Sequence, residues 1–153
     1  MRWPLLVLLV LLVLLSIGLA APVLAVDAGK IGYVSFGEVR IQLHGTDARV
    51  EVDYTLDPGM NVIILLFGVG DLQKKVERAL NFPSLKAGEV GLSHAVFTVN
   101  GISENYGDRA YWFPPHSFGV TFPQVKVNAS GYSLSFTKAQ AIPRGFGYFG
   151  DMP

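Results

Sequence analysis

The side chains able to do chemistry are few. The 153-residue chain holds three histidines, His44, His94 and His116, and no cysteine. No two histidines stand at a metal-ligand spacing and no thiolate is present, so no metal or cofactor is expected. Glu38, Glu51, Asp53 and Asp57 share the polar face of a hairpin. Paired carboxyls can trade protons or hold calcium, but polar-out alternation produces such a row in any half-exposed sheet. The serine-elbow pattern Gly-x-Ser-x-Gly is missing. Gly91-Leu92-Ser93-His94-Ala95 comes nearest, but it ends in alanine and enters a strand, where an elbow needs a strand-to-helix turn. Gly68-Val69-Gly70-Asp71 precedes a helix, yet Asp71 brings negative charge to the end where an anion would bind. No catalytic residue is assigned.

The aromatic stretch is more distinctive. Tyr106, Tyr111, Trp112, Phe113 and Phe118 fall within 13 residues, interleaved with Asn105, Asp108, Arg109 and His116. Aromatic faces beside Asp, Asn and Arg can stack on sugars or on a partner protein. The expected binding set is Tyr106, Asp108, Arg109, Tyr111, Trp112 and His116. Strand alternation puts Tyr111 and Phe113 on one face and Trp112 on the other, so one of those faces is expected to be core. Asn128-Ala129-Ser130 is an N-glycosylation sequon at an expected hairpin tip. The competing enzymatic reading is an extracytoplasmic hydrolase or metal-dependent enzyme in which His94 or His116 works with Asp108 or Glu104. It requires the fold to bring these groups together.

These residues need elements to position them. Glu38–His44 and Arg49–Asp57 alternate polar and apolar, and Gly45-Thr46 suits a type II′ turn between them. That turn opposes His44 to Asp47, Arg40 to Glu51 and Glu38 to Asp53, and places both apolar rows on one face. Glu38 against Asp53 is a like-charge pair that needs a third residue to relieve it. Met60–Phe67 is a continuous apolar run whose periodicity does not decide its form: Val62, Ile63 and Ile64 suit a buried strand, while Asp57 as cap with Pro58 at the first position, and a second helix following at once, favour a buried helical turn or short helix. Asp71 is expected to cap a second helix whose stripe is Leu72, Val76, Ala79 and Leu80, with Lys74, Lys75, Glu77 and Arg78 facing solvent. Leu85–Gly91 reads as a connection and Leu92–Val99 as a central strand. Ala110–Phe113, Phe118–Val127 and Tyr132–Thr137 read as further strands, with a bulge or edge at Pro123. Residues 139–153, with Gly145, Gly147 and Gly150 among Phe146, Tyr148 and Phe149, read as an irregular flap.

The expected fold is α+β: a mostly antiparallel sheet of five or six strands, with one or two helices inserted after the first hairpin and packed on one face.

The first 25 residues carry an address. Arg2 precedes Leu5–Leu15, which has no polar side chain, and Val23-Leu24-Ala25 supplies small residues for cleavage after Ala25. Residues 1–25 are therefore read as a signal peptide, and 26–153 as a single domain. In the competing reading Leu5–Ala21 is retained as a membrane anchor at the lower limit of spanning length. Either way the domain is sent across a membrane. Removing Arg2 takes the formal charge from zero to −1, with no basic excess for nucleic acid. The mature chain is long enough to bury a core without disulfides.

Tyr54-Thr55-Leu56-Asp57-Pro58-Gly59, Leu65-Leu66-Phe67-Gly68 and Ala110-Tyr111-Trp112-Phe113-Pro114, with His116 and Phe118-Gly119-Val120, resemble small exported proteins of methanogenic archaea. The resemblance spans most of the mature chain and implies an archaeal cell-surface or extracytoplasmic setting. No activity comes with it, so no residue's role is carried over. The sequence is thus expected to encode an exported, non-catalytic envelope or extracellular module, secreted or tethered through residues 5–21. Its expected partner is an envelope protein or glycan, with no role for nucleic acid.

Overall fold

The computed structural model describes residues 29–150. The leader expected over residues 1–25 and the last three residues lie outside them. The elements run β1 (Lys30–Ile31), β2 (Val34–His44), β3 (Asp47–Leu56), α1 (Met60–Phe67), α2 (Gly70–Leu80), β4 (Leu85–Val90), β5 (His94–Val99), β6 (Glu104–Asn105), β7 (Ala110–Phe113), β8 (His116–Ala129), β9 (Tyr132–Ile142) and β10 (Phe146–Phe149). The fold is α+β and mostly sheet, with two helices following β3.

The main sheet has seven strands, more than the five or six expected, and is mixed, with one parallel pairing among antiparallel ones. Seven strands pair in the order β4-β5-β3-β2-β8-β9, with β1 on β2. The β2–β8 pairing is parallel, from Glu38↔Gln124 to Gln42↔Asn128. A separate three-stranded sheet has the order β10-β7-β6. Two expectations are corrected here. Leu85–Val90 is an edge strand paired with β5, not a connection. Part of the tail is also sheet: β9 runs to Ile142 and β10 pairs with β7.

The first hairpin forms in the expected register, from His44↔Asp47 to Val39↔Val52. Gly45 has φ 58° and Thr46 keeps negative φ, as a type II′ turn requires. Between Phe36 and Val39 the register slips by one residue, a bulge that lets Phe36 and Val39 both point to the core. A second change of face affects β8 and β9 together. Phe122 pairs with Ala139 and Gln124 with Thr137, so Pro123 stands opposite Lys138, which has φ 49°. Phe122 and Val125 are buried on either side of that point.

One face of the main sheet carries a continuous core that includes Val39, Ile41, Val50, Val52, Phe97, Val99, Val125 and Val127. Two covers sit on it. At one end, α2 contributes Leu72, Val76, Ala79 and Leu80, the stripe expected from its 3.6-residue period. Gly119 lies directly beneath the Arg78 carbonyl and lets the helix backbone meet β8. At the hairpin-tip end, the small sheet packs Phe113, Phe146, Tyr111 and Tyr148 inward. The Tyr148 hydroxyl donates to the Gly45 carbonyl at 2.6 Å and accepts from Ser103 Oγ at 2.8 Å. Tyr132 at the start of β9 meets Phe146 at 5.9 Å between ring centroids.

Neither helix starts as expected. α1 begins at Met60 after Gly59 in a left-handed conformation (φ 86°), so Asp57 is not its cap and Pro58 precedes the helix. α2 begins at Gly70 with Val69 as cap residue. Asp71 sits in its first turn, where its carboxylate accepts from Tyr33 Oη and Lys75 Nζ, both at 2.8 Å. The run 60–67 is a helix, but not a buried one, because only Ile64 is in the core.

Candidate functional site

The uncovered face of the main sheet collects the charged residues of the hairpin. Arg40 on β2 donates to Glu38 Oε1 (3.2 Å), Glu51 Oε2 (3.3 Å) and Asp53 Oδ2 (2.9 Å). Lys126 on β8 reaches Glu38 at 2.9 Å, and Arg49 reaches Glu51 at 3.0 Å. His94 Nδ1 lies 2.8 Å from Asp53 Oδ1. The like-charge clash of Glu38 with Asp53 is relieved because both accept from the Arg40 guanidinium. Asp57 is not in this group; it pairs with Lys30 at 2.9 Å.

The electrostatics describe a closed structural array. Burial works to raise Asp53, but hydrogen bonds from His94 and Arg40 hold it below the usual carboxylate range. Burial likewise opposes ionisation of Glu51, and Arg49 and Arg40 outweigh it. The Lys126 ammonium is the main influence holding Glu38 low, with Arg40 assisting. A general acid needs a carboxyl pushed upward, and none of these three is. Among the described residues no group of three or more His, Asp or Glu side chains is arranged to hold a metal ion.

The histidines do not converge. His94 belongs to the charged face. His116 opens β8 on the core side, with the same alternation as buried Phe118, Val120 and Phe122. Its ring stacks on Phe82 (3.8 Å, 12°) and Nε2 donates to the Leu80 carbonyl at 2.9 Å. His94 and His116 are therefore not brought together, since the two rings face opposite sides of the main sheet. His116 is also separated from the other expected binding residues, being turned against α2.

This buried imidazole gives the fold a pH response. Desolvation lowers the His116 pKa, and the bond to Leu80 only partly offsets it. The unfolded chain, with an ordinary histidine near pH 6.5, then binds more protons than the folded one. Stability is fully present above that value and is lost as pH falls through 6.5 toward the lower folded pKa. The thermal midpoint should thus fall between pH 7.5 and 5.5, and His116→Gln should flatten that slope; an unchanged slope in the variant would contradict the assignment. The Glu38, Glu51 and Asp53 contributions are lost only in a separate, more acidic window, below the unfolded carboxylate values of about 4.

The remaining five residues of the aromatic set do gather on the small sheet. β6 and β7 form a hairpin in which Glu104 pairs with Trp112 and Asn105 with Tyr111. Its loop holds Gly107, Asp108 and Arg109 at φ 85°, 48° and 63°. Gly107 N–H donates to Asn105 Oδ1 at 2.8 Å, and Tyr106 N–H to the Ala110 carbonyl at 2.9 Å. This tight loop turns Tyr106, Asp108 and Arg109 into solvent, and Tyr106 Oη donates to Glu104 Oε2 at 2.8 Å. Tyr111 and Trp112 separate as alternation demands. Tyr111 faces inward and stacks on Tyr148 (5.6 Å, 27°), so it supports the face without presenting its ring. Trp112 is 39% exposed on the outer side.

The support under Trp112 comes from β10, a strand where the sequence pattern predicts an irregular flap. Gly147 is its cross-strand partner. A Cβ at Gly145 would stand 2.5 Å from the indole Cζ2, and one at Gly147 would reach Cε3 at 3.9 Å. The indole therefore lies across two glycine backbones, with the solvent side of the ring left open. Phe149, on the same outward parity of β10, is exposed beside it. No family model, curated protein or solved structure matches this chain. Its site is read from this geometry: an aromatic platform of Trp112 and Phe149, bordered by Glu104, Tyr106 and Arg109.

The sequon lies at the opposite edge of the same end. Asn128 is half-buried in β8, one residue before the paired end of the β8–β9 hairpin, and its Oδ1 accepts from Ser133 Oγ at 2.8 Å.

Proposed function

We propose that this chain is an exported, non-catalytic binding module of the cell envelope, holding a glycan or an envelope protein against the outer face of the small sheet. The observation that supports this most is Trp112 laid flat over Gly145 and Gly147 with one face open. An indole preorganised in this way loses little rotamer freedom on stacking against a sugar ring or an aromatic side chain. Glu104, Tyr106 and Arg109 around it offer hydrogen bonds to hydroxyls or amides. Asn128, at the rim of an exported domain, is the residue a glycosyl transferase would modify.

Trp112 is also the reporter, because it is the one tryptophan in residues 26–153. Titration with soluble oligosaccharides and with envelope fractions from the producing cells should change its emission saturably. Trp112→Ala should weaken that binding about 10- to 30-fold, the effect of losing ~1.5–2 kcal/mol of stacking and area, while leaving the circular dichroism spectrum intact. Trp112→Phe should recover part of it. Equal binding by wild type and Trp112→Ala would remove this face from the site. Tyr111→Ala is unsuitable as a test, since Tyr111 packs on Tyr148 and its loss would loosen the whole small sheet.

A further inference from the structure

Helix α1 shows solvent nearly everything it has. Phe67 is 85% exposed, Leu65 and Leu66 are 73% each, and Val62 and Ile63 are about half exposed or more. These residues follow one another round the helix, so they do not form a single stripe. Among its residues only Ile64 reaches the core. A helix apolar on all sides is normally found inside protein or in lipid, and contiguous exposed apolar surface marks an interaction site.

We propose that α1 is a membrane-surface anchor that inserts in-plane into the interfacial layer of a lipid bilayer. Three observations select lipid over a protein partner. First, the exposed side chains form a convex projection of eight residues, about 12 Å long. Such a knob suits a fluid medium that closes round it, whereas a rigid partner would have to supply a matching socket. Among the described residues no helix is long and apolar enough to cross a membrane, so α1 lies on the surface. Second, residues 58–70 contain no charged side chain. The acidic residues that flank them are each neutralised: Asp57 by Lys30 at 2.9 Å and Asp71 by Lys75 at 2.8 Å. This removes the charge that would repel an anionic headgroup or cost desolvation at the interface.

Third, the chain joins the domain at the foot of this helix. The Tyr33 carbonyl accepts from Asp57 N–H at 2.9 Å and the Tyr33 hydroxyl bonds Asp71, so residues 30–33 lie against the start of both helices. Eight residues, 22–29, separate this point from the apolar leader segment Leu5–Ala21. Extended, they span at most about 29 Å. A leader that crosses a membrane thus delivers α1 to the surface of that same membrane. If the leader is cut away, α1 is the apolar element that stays. The small-sheet platform plays no part in this.

The absence of cysteine allows a local test. Leu66→Cys and, at the opposite end of the sheet, Ser133→Cys are each labelled with an environment-sensitive fluorophore, on the chain as recovered from expressing cells with whatever N-terminus it carries. Vesicles of phosphatidylcholine and phosphatidylglycerol should blue-shift the label at 66 and reduce its quenching by aqueous iodide about five-fold, leaving the label at 133 unchanged. Adding Phe67→Glu should abolish the shift without altering circular dichroism. A label at 66 that stays open to iodide in the presence of vesicles overturns the proposal. So does one already shielded before vesicles are added. In that case dependence on protein concentration would identify a second copy as the occupant, and independence would identify the leader folded back over α1.

Discussion

Gly119→Val is expected to lower the thermal midpoint by about 10 °C, a loss of ~3 kcal/mol at the upper end of overpacking costs. The effect is spatial and not conformational, since Gly119 does not occupy the left-handed region. Any Cβ there would run into the Arg78 carbonyl and crowd Ala79 Cα, both backbone atoms of α2. A flexible side chain could swing away, but a helix backbone moves only as a unit. Relief would require α2 to lift from β8 and expose Leu72, Val76 and Leu80, which are fully buried. Gly119→Ala already carries the clash and should show most of the loss. Thermal denaturation followed by circular dichroism measures it, and a midpoint within about 2 °C of wild type would mean that α2 is not seated on β8 at this position.

Phe122→Ala is expected to cost about 4 kcal/mol, read as a lower urea midpoint with an unchanged slope. Phe122 is fully buried and meets Phe118 edge-on at 5.2 Å (81°) and Phe36 at 5.5 Å (70°). It stands just before Pro123, where β8 and β9 change face together. Its ring therefore fills the joint between the part of the sheet beneath α2 and the part beneath the small sheet. The cavity left by alanine has backbone on either side that is committed to two different packings, so it cannot collapse. Phe122→Leu should lose less than half as much, because it keeps most of the volume. An alanine variant as stable as wild type would show that the joint is not packed by this ring.

Where local pattern and tertiary demand agree, the sequence was readable. Residues 38–57 alternate cleanly around Gly45-Thr46, and the hairpin followed in register. The 3.6-residue period of Leu72, Val76, Ala79 and Leu80 gave α2 its buried face. β4 was missed because Lys86-Ala87-Gly88-Glu89 has no alternation; an exposed edge strand needs none. β10 was missed for a different reason. Its inward residues, Phe146 and Tyr148, do alternate, but the outward position is Gly147, kept small because an indole lies over it. A residue chosen to serve Trp112 thereby looked like irregular chain. The same gap hid the support of the platform, although Trp112 itself was singled out.

His116 falls in the expected binding set through its nearness to the aromatic stretch, whereas the spacing His116, Phe118, Val120, Phe122 sets it on the inward row. The parallel pairing of β2 with β8 had no local signal at all, because nothing in either strand specifies a partner so distant in the chain. The unburied character of α1 was equally silent. An apolar run tells which surface avoids water, and not what will cover it.

That central parallel pairing has a consequence for how the chain becomes a protein. Glu38 and Gln124 are neighbours in the sheet but 86 residues apart in sequence. The β2–β3 hairpin can zip early, since its contacts are local, but one edge of β2 then waits unpaired for β8 to arrive. Closing so long a loop before any contact rewards it places folding toward the slow end for a domain of this size. A chain that emerges N-terminus first must hold this open edge through most of its passage. Its last third acts less as an appendage than as the latch that completes the sheet.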